Sequence, residues 1–332
     1  MQAVLNMASD PGAVVRSLGE IGLISRLSRR LPRGTSVEVG IGDDAAVLRL
    51  PSSRGALRLL FASDMLVEGV HFVRRRVPAR WIGWKALAVN VSDIAAMGGH
   101  PRWAVVSLGL PPETPLRFVD ELYAGLARCA KRFGVLVVGG DTVRAGCVTV
   151  NVAIVGLVEA RRVVLRRGAR VGDHLFVTGR LGGSYVTNAH ARFIPRLAEA
   201  HELLRRVRVR AMMDLSDGLA SDLWQMSRAS GVRLRVEAPR VPVARAARRC
   251  RRRGCRCRVE RDLGPVYHAL MDGEDFELLF AVSPAQVRRV PRRLGRCPVT
   301  PIGRAVARGV GVELERQDGR VMPLAPAGFR HF

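Results

Sequence analysis

Six aspartates of this chain stand where an ionised carboxylate is costly. Asp44 follows VEVGIGD, Asp64 follows LLFAS, Asp141 ends VLVVGGD, and Asp214 and Asp217 flank the turn in MMDLSDG. Asp93 falls inside a helical stretch, with Ala88, Val89, Val91, Ile94, Ala95 and Ala96 around it. A carboxylate among such neighbours needs a cation or several donors. Singly, each has a plain alternative: Asp44 caps a turn, Asp217 caps the next helix, Asp93 pairs with an arginine. Six of one kind in such settings, in a chain rich in arginine, point instead to a hard-cation site. Oxygen ligands suit Mg²⁺, which bridges protein carboxylates to substrate phosphates. Gly40, Gly42, Gly139, Gly140, Gly182 and Gly183 beside them let backbone amides approach phosphate oxygens closely. Placement alone therefore predicts a Mg²⁺-dependent phosphate-handling enzyme and leaves its substrate open.

The elements that position these acids follow from hydrophobic period and punctuation. Ser17 and Glu20 have capping-box spacing and predict a helix through about Leu31. LRLLFASDML reads as a strand entering an acidic turn. RWIGWKALAVNVSDIAAMGG reads as a helix stopped by Gly98, Gly99 and Pro101. WAVVSLGLP, VLVVGGD and CVTVNVAIVGLV read as strands, and Pro115 to Phe133 as an amphipathic helix. After EARRVVLRRGARVGD a second unit follows. It has HLFVTGRLGG as strand and turn, a short connection, AMMDLSDGLASDLWQMSRAS as turn and helix, then strands RLRVEA, FELLFAV and, last, TPIGRAV. The reading is α/β (α+β) in two domains, 1–158 and 159–332. Strict alternation, GxxxxGK[ST] and GxGxxG are all missing, so the common doubly wound nucleotide folds are not indicated.

Composition narrows the class. The 332 residues, 48 % hydrophobic and 25 % charged, are ordinary for a globular chain of about two domains. No apolar run is long enough to span a bilayer, and MQAVLNMASDPGAVV lacks the features of a signal peptide, so a soluble cytoplasmic protein is expected. The six cysteines are then thiols. Cys250, Cys255 and Cys257 lack a common zinc spacing, so no structural metal is expected there. The formal charge of +25 is nearly all arginine, part of it in RVPVARAARRCRRRGCRCRVER at 240–261. No aromatic residue interleaves with that run, so it reads as a solvated loop and not as a nucleic-acid platform.

Read in order, GIGDDAAVL, ASDMLVEGVHF, WKALAVNVSDIAAMGGHP, VVGGDTVR, VTGRLGGS, MMDLSDGLASDL and DGEDFELLF resemble the thiamine-monophosphate kinases. That family shares a superfamily with aminoimidazole ribonucleotide synthetase, selenophosphate synthetase and the hydrogenase-maturation dehydratase. The resemblance runs from about Leu18 to GFRHF. It implies a two-domain aminoimidazole ribonucleotide synthetase-like fold: an N-terminal ATP/Mg-binding domain whose sheet forms a barrel across a homodimer, and a C-terminal α/β domain. It implies ATP as co-substrate, Mg²⁺, and in-line phosphorylation of thiamine monophosphate to thiamine diphosphate with no phosphoenzyme. By the same resemblance Asp44, Ser63, Asp64, Asp93, Asp141, Asp214 and Asp217 match magnesium positions. Tyr123, Gly140, Asp141, Arg166 and Ser216 match nucleotide contacts. His71, Glu274 and Phe329 match positions holding the thiamine phosphate. No residue is implied as general base or nucleophile; positioning and charge neutralisation carry the chemistry.

From their residues alone, Arg166 reads equally as a surface arginine, His71 as a turn histidine and Phe329 as a core anchor. The chain departs from the family pattern at Ala62, Met65, Asp272 and Arg330, in the short stretch from Gly183 to Arg196, and in the arginine run. None removes a metal aspartate; they bear on the acceptor more than on the transfer. Two alternatives stand beside the kinase: another ATP-using enzyme of the superfamily, and a non-catalytic polyanion binder. No cysteine precedes Cys129 and the chain ends in Phe332, which weakens the two best-known enzyme alternatives.

Overall fold

The computed structural model describes residues 15–28, 31, 34–50, 56–249 and 263–329. Two sheets organise it. The first has order β1-β2-β3-β6-β4-β5 and is built from β1 (Val37–Val39), β2 (Ala46–Arg49), β3 (Leu57–Val67), β4 (His100–Leu110), β5 (Leu136–Arg144) and β6 (Thr149–Glu159). Its pairs are antiparallel except β4 with β5, which run parallel. A parallel pair needs a crossover, and α3 (Leu116–Phe133) supplies it. Before the sheet lies α1 (Val15–Ser28).

Between β3 and β4 runs α2 (Ala79–Ala96), apolar on every side and buried almost throughout. Such a helix must be enclosed on all faces. It packs on the inner face of the first sheet beside Leu60, Val106, Val152 and Ile154. It crosses α3 so closely that a Cβ on Gly83 would lie 1.8 Å from Leu122 O, and one on Gly125 1.8 Å from Arg80 O.

The second sheet has order β14-β13-β9-β12-β7-β10-β8, with β11 (Arg293–Leu294) paired to β12. Its strands are β7 (His174–Thr178), β8 (Val209–Asp214), β9 (Val232–Glu237), β10 (Leu278–Val282), β12 (Cys297–Arg308), β13 (Gly311–Glu315) and β14 (Val321–Pro323). The helices are α4 (Leu197–Arg206), α5 (Leu219–Ser230), α6 (Arg245–Arg248) and α7 (Val266–Met271). One core lies between α5 and this sheet. A separate apolar cluster joins Ala95 and Ala96 of α2 to Leu203 of α4 and to Phe176 and Phe280 of the second sheet. The C-terminal end of α2 therefore butts directly against the second unit.

Four local expectations are corrected. Leu31 lies in a bend outside the N-terminal helix, which is described over Val15–Ser28. Asp64 is inside β3, not in a turn after it, because Asp64 to Val67 still pair with β6. The connection after Gly183 contains α4, whose amphipathic stripe Ala200 and Leu203 is short and easily lost among arginines. TPIGRAV is not the last strand: β13 and β14 follow, and the parallel β9–β13 pair makes them one sheet. Cys129, Cys147 and Cys297 are free thiols. Cys250, Cys255, Cys257, Arg330 and residues 250–261 of the arginine run lie outside the described residues. Among the described residues, no helix is long and apolar enough to cross a membrane.

Candidate active site

Three carboxylates from three separate elements converge. Asp44 enters from the turn before β2, Asp93 from the last turn of α2 and Asp214 from the end of β8, and oxygens of all three lie within 4.8 Å of one another. β3 brings Asp64 alongside, within hydrogen-bonding reach of Asp93. Since β3 alternates, Ala62 and Asp64 face inward while Ser63 faces out, where its hydroxyl meets Asn151 Oδ1 at 3.2 Å. Ser63 thus offers the cage no hydroxyl.

Crowded, buried acids hold protons tightly. Burial first, then the charge of Asp44, pushes Asp214 up to about 8. Asp93 is raised well above the usual carboxylate range by burial and by Asp64, Asp214 and Asp44. Asp44 and Asp64 are raised as well, chiefly by burial. Among the described residues, the cation in direct contact with the three converging acids is Arg166, whose Nε and Nη2 donate to Asp44 Oδ1 at 3.1 and 2.7 Å. Asp44 Oδ2 remains buried with no hydrogen-bond partner. A cluster that is short of positive charge and ends in an orphaned carboxylate oxygen has the donor chemistry of a hard-cation site.

Several residues around the cage carry no signal in the sequence strong enough to single them out. Ser92 Oγ donates to Asp214 Oδ2 at 2.6 Å. Asp43, first of the DD pair, accepts the Arg166 backbone N–H at 3.1 Å and fixes that segment. Burial and then Asp44 raise Asp43 to about 6. Gln225 accepts from Arg166 Nη1 through Oε1 and donates through Nε2 to Asp217 Oδ2 at 3.2 Å. Asp222 is fully buried with an unpartnered Oδ2. Its place in SDGLASDL, one turn into α5, was the available clue.

The turn after β8 organises the other side. Glu274 N donates to Ser216 O at 2.6 Å and Phe329 N to Asp217 O at 3.0 Å. Gly273 and Gly328 let those backbones meet: added Cβ atoms would lie 2.7 Å from Ser216 O and 2.2 Å from Asp217 O. Glu274 and Phe329 therefore hang from the Ser216–Asp217 backbone, and the Phe329 ring lies 6.3 Å from that of His71. Three expected residues stand apart from the cage. Gly140 and Asp141 are on the exposed edge strand β5, the Asp141 carboxylate turned to Thr142 N at 2.8 Å, and Tyr123 is exposed on α3.

Comparison with known proteins gives the relatives of this chain. Residues 42–158 match the AIR synthase related protein, N-terminal domain, and residues 181–315 its C-terminal domain. The thiamine-monophosphate kinase of Rhodopirellula baltica is 37 % identical over 92 % of this chain and 93 % of its own. That of Aquifex aeolicus is 33 % identical over 96 % and 99 %. A solved structure of AaThiL complexed with AMPPCP and TMP superposes with a TM-score of 0.81 at 32 % identity, covering 97 % of this chain and all of the other.

Proposed function

This chain belongs to the thiamine-monophosphate kinases of the AIR synthase related family, and from that membership we propose that its carboxylate cage is the magnesium site of the phosphoryl transfer. The enzyme phosphorylates thiamine monophosphate with ATP, giving thiamine diphosphate and ADP. One observation carries the assignment of the cage: three buried or half-buried carboxylates within 4.8 Å, with an orphaned oxygen on Asp44. Asp44, Asp64, Asp93 and Asp214 would hold the ions, with Asp217 on the adjoining turn, Asp141 on β5 and Ser63 through its backbone. Bound Mg²⁺ supplies neutralisation of the charge on the phosphoryl groups.

The chain's own residues do the rest by placement. Arg166 is held at the cage mouth by Asp44, Asp43 and Gln225 and presents a planar fork suited to phosphate oxygens. Gly140, Asp141, Ser216 and Tyr123 are assigned to the nucleotide, and His71, Glu274 and Phe329 to thiamine monophosphate. The attacking oxygen belongs to a phosphate already ionised near neutral pH, so no general base is required and transfer is direct and in-line. We assign the nucleotide and metal domain to residues 1–158 and the second domain to 159–332.

The outer face of the first sheet supports a dimer closed by sheet pairing. Phe61, Met65, Trp103 and Val105 are exposed there side by side, on strands whose opposite face is core. A patch of that kind is covered in a stable protein, and a second copy of the sheet completes the barrel.

The test is a chromatographic assay with ATP, Mg²⁺ and thiamine monophosphate, each omitted in turn. Thiamine diphosphate and ADP in equal amounts, formed only with all three, is the expected result. ADP without thiamine diphosphate would reassign the acceptor.

A further inference from the structure

Of the 54 basic side chains, only Lys85 and Lys131 are lysines. Lys131 is exposed, whereas the Lys85 side chain is 0 % exposed and among the largest fully buried side chains. Where arginine is used almost everywhere, the lysine kept at a buried position marks a place for a compact ammonium with three donors, which a planar guanidinium cannot replace. All three are engaged. Lys85 Nζ donates to His71 O at 3.0 Å and to Glu274 Oε1 at 2.5 Å, and lies 3.1 Å from His190 Nδ1.

These contacts join three segments. Lys85 lies on α2 eight residues before Asp93, two turns along one helical face. His71 belongs to the loop after β3, and Glu274 to the turn before β10 in the second unit. Glu274 has φ +61°, a conformation that a non-glycine residue holds only when its surroundings impose it. With Oε1 taken by Lys85, Glu274 Oε2 is buried without a hydrogen-bond partner, 3.1 Å from His190 Nδ1. Beside it stands Tyr185, its ring stacked on His190 at 4.3 Å and 42 % exposed.

We propose that Lys85 is the positioning residue of the thiamine subsite. It ties the Glu274 turn to the His71 loop and occupies Oε1, leaving Oε2, next to the open face of Tyr185, as the acceptor for the cationic ring system of thiamine monophosphate. A fixed carboxylate with an aromatic face is the pairing that binds a permanent organic cation. This inference rests on the reading that the chain phosphorylates thiamine monophosphate.

The experiment is steady-state kinetics of Lys85→Met with each substrate varied in turn. The KM for thiamine monophosphate is expected to rise about tenfold or more, while kcat and the KM for ATP stay within about threefold. Preference for thiamine monophosphate over its neutral thiophene analogue should fall in the same variant. Equal changes in both KM values, or a lowered Tm with no change in either, would overturn the proposal. The native protein gives a second readout that does not depend on the variant folding. Labelled with ε-¹³C lysine it has two signals, and the buried one should move on adding thiamine monophosphate and not on adding ATP alone. No movement with thiamine monophosphate would overturn the proposal as well. If the native protein forms no thiamine diphosphate, the reading of its function fails; if it does and the KM values do not separate, only the role of Lys85 fails.

Discussion

At the scale of single residues, the site is governed by carboxylates brought closer than their charges favour. With Asp43 near 6 and Asp214 near 8 when folded, against 3.8 for an unperturbed carboxylate, the folded chain holds more protons than the unfolded one between those limits. Stability without metal therefore falls as pH rises through that window. His100 and His201, whose pKa values burial lowers, act in the opposite sense, and only below about pH 6.5. Melts in EDTA are expected to show Tm falling from about pH 6.5 to 8, with Mg²⁺ restoring it most at the upper end, where its ligands are ionised. An equal Mg²⁺ shift at both ends would remove these acids from the metal site. Asp93→Asn takes away one ionisable oxygen at a crowded point. Turnover should drop about a thousandfold or more while the metal-free Tm holds or rises, as thiamine diphosphate formation and calorimetry would show.

One element, α2, does most of the positioning. The same helix carries Lys85, Ser92 and Asp93 and is enclosed by sheet, α3 and the second unit, so its placement sets both the acidic cluster and the Glu274 contact. Its register depends on the two glycines at the α2–α3 crossing. Gly125→Val would drive a side chain into the Arg80 backbone. The expected loss is about 3 kcal/mol, read as a lower urea midpoint at unchanged slope, with activity falling in parallel. A variant of native midpoint would mean that the helices do not need so close an approach.

For the whole molecule, the two sheets differ in what they leave uncovered. The second buries its strands under α5 and the interunit cluster, whereas the first exposes Phe61, Met65, Trp103 and Val105 on one face and β5 along its edge. The dimer proposed for that face also bears on Gly140 and Asp141, which lie on the same edge strand, away from the three converging acids. Val105→Asp should turn a sedimenting dimer into a monomer and weaken ATP binding. A native protein that sediments as an active monomer would rule out the shared barrel. The charge of +25 suits two anionic substrates, whose approach it speeds.

The chemistry was legible in the chain because an acid in an apolar setting is a local contradiction, visible wherever it occurs. Asp93 within VNVSDIAAMG needed no partner in view to stand out as an acid in an apolar helix, and α2 was bounded by Gly98, Gly99 and Pro101. Asp64 read less well: strand and turn look alike there until the β6 pairing extends past it to Val67. Lys85, His190, Gln225 and Ser92 were not legible at all, because each is unremarkable beside its own neighbours. Lys85 reaches His71 and Glu274, 14 and 189 residues away, Ser92 reaches Asp214 at 122, His190 meets Lys85 at 105 and Gln225 takes Arg166 from 59. Sequence by itself determined which residues carry charge into apolar elements, a property of short range. Only tertiary structure decided which charges meet, since that depends on how β8, α2 and the Glu274 turn pack across the two units.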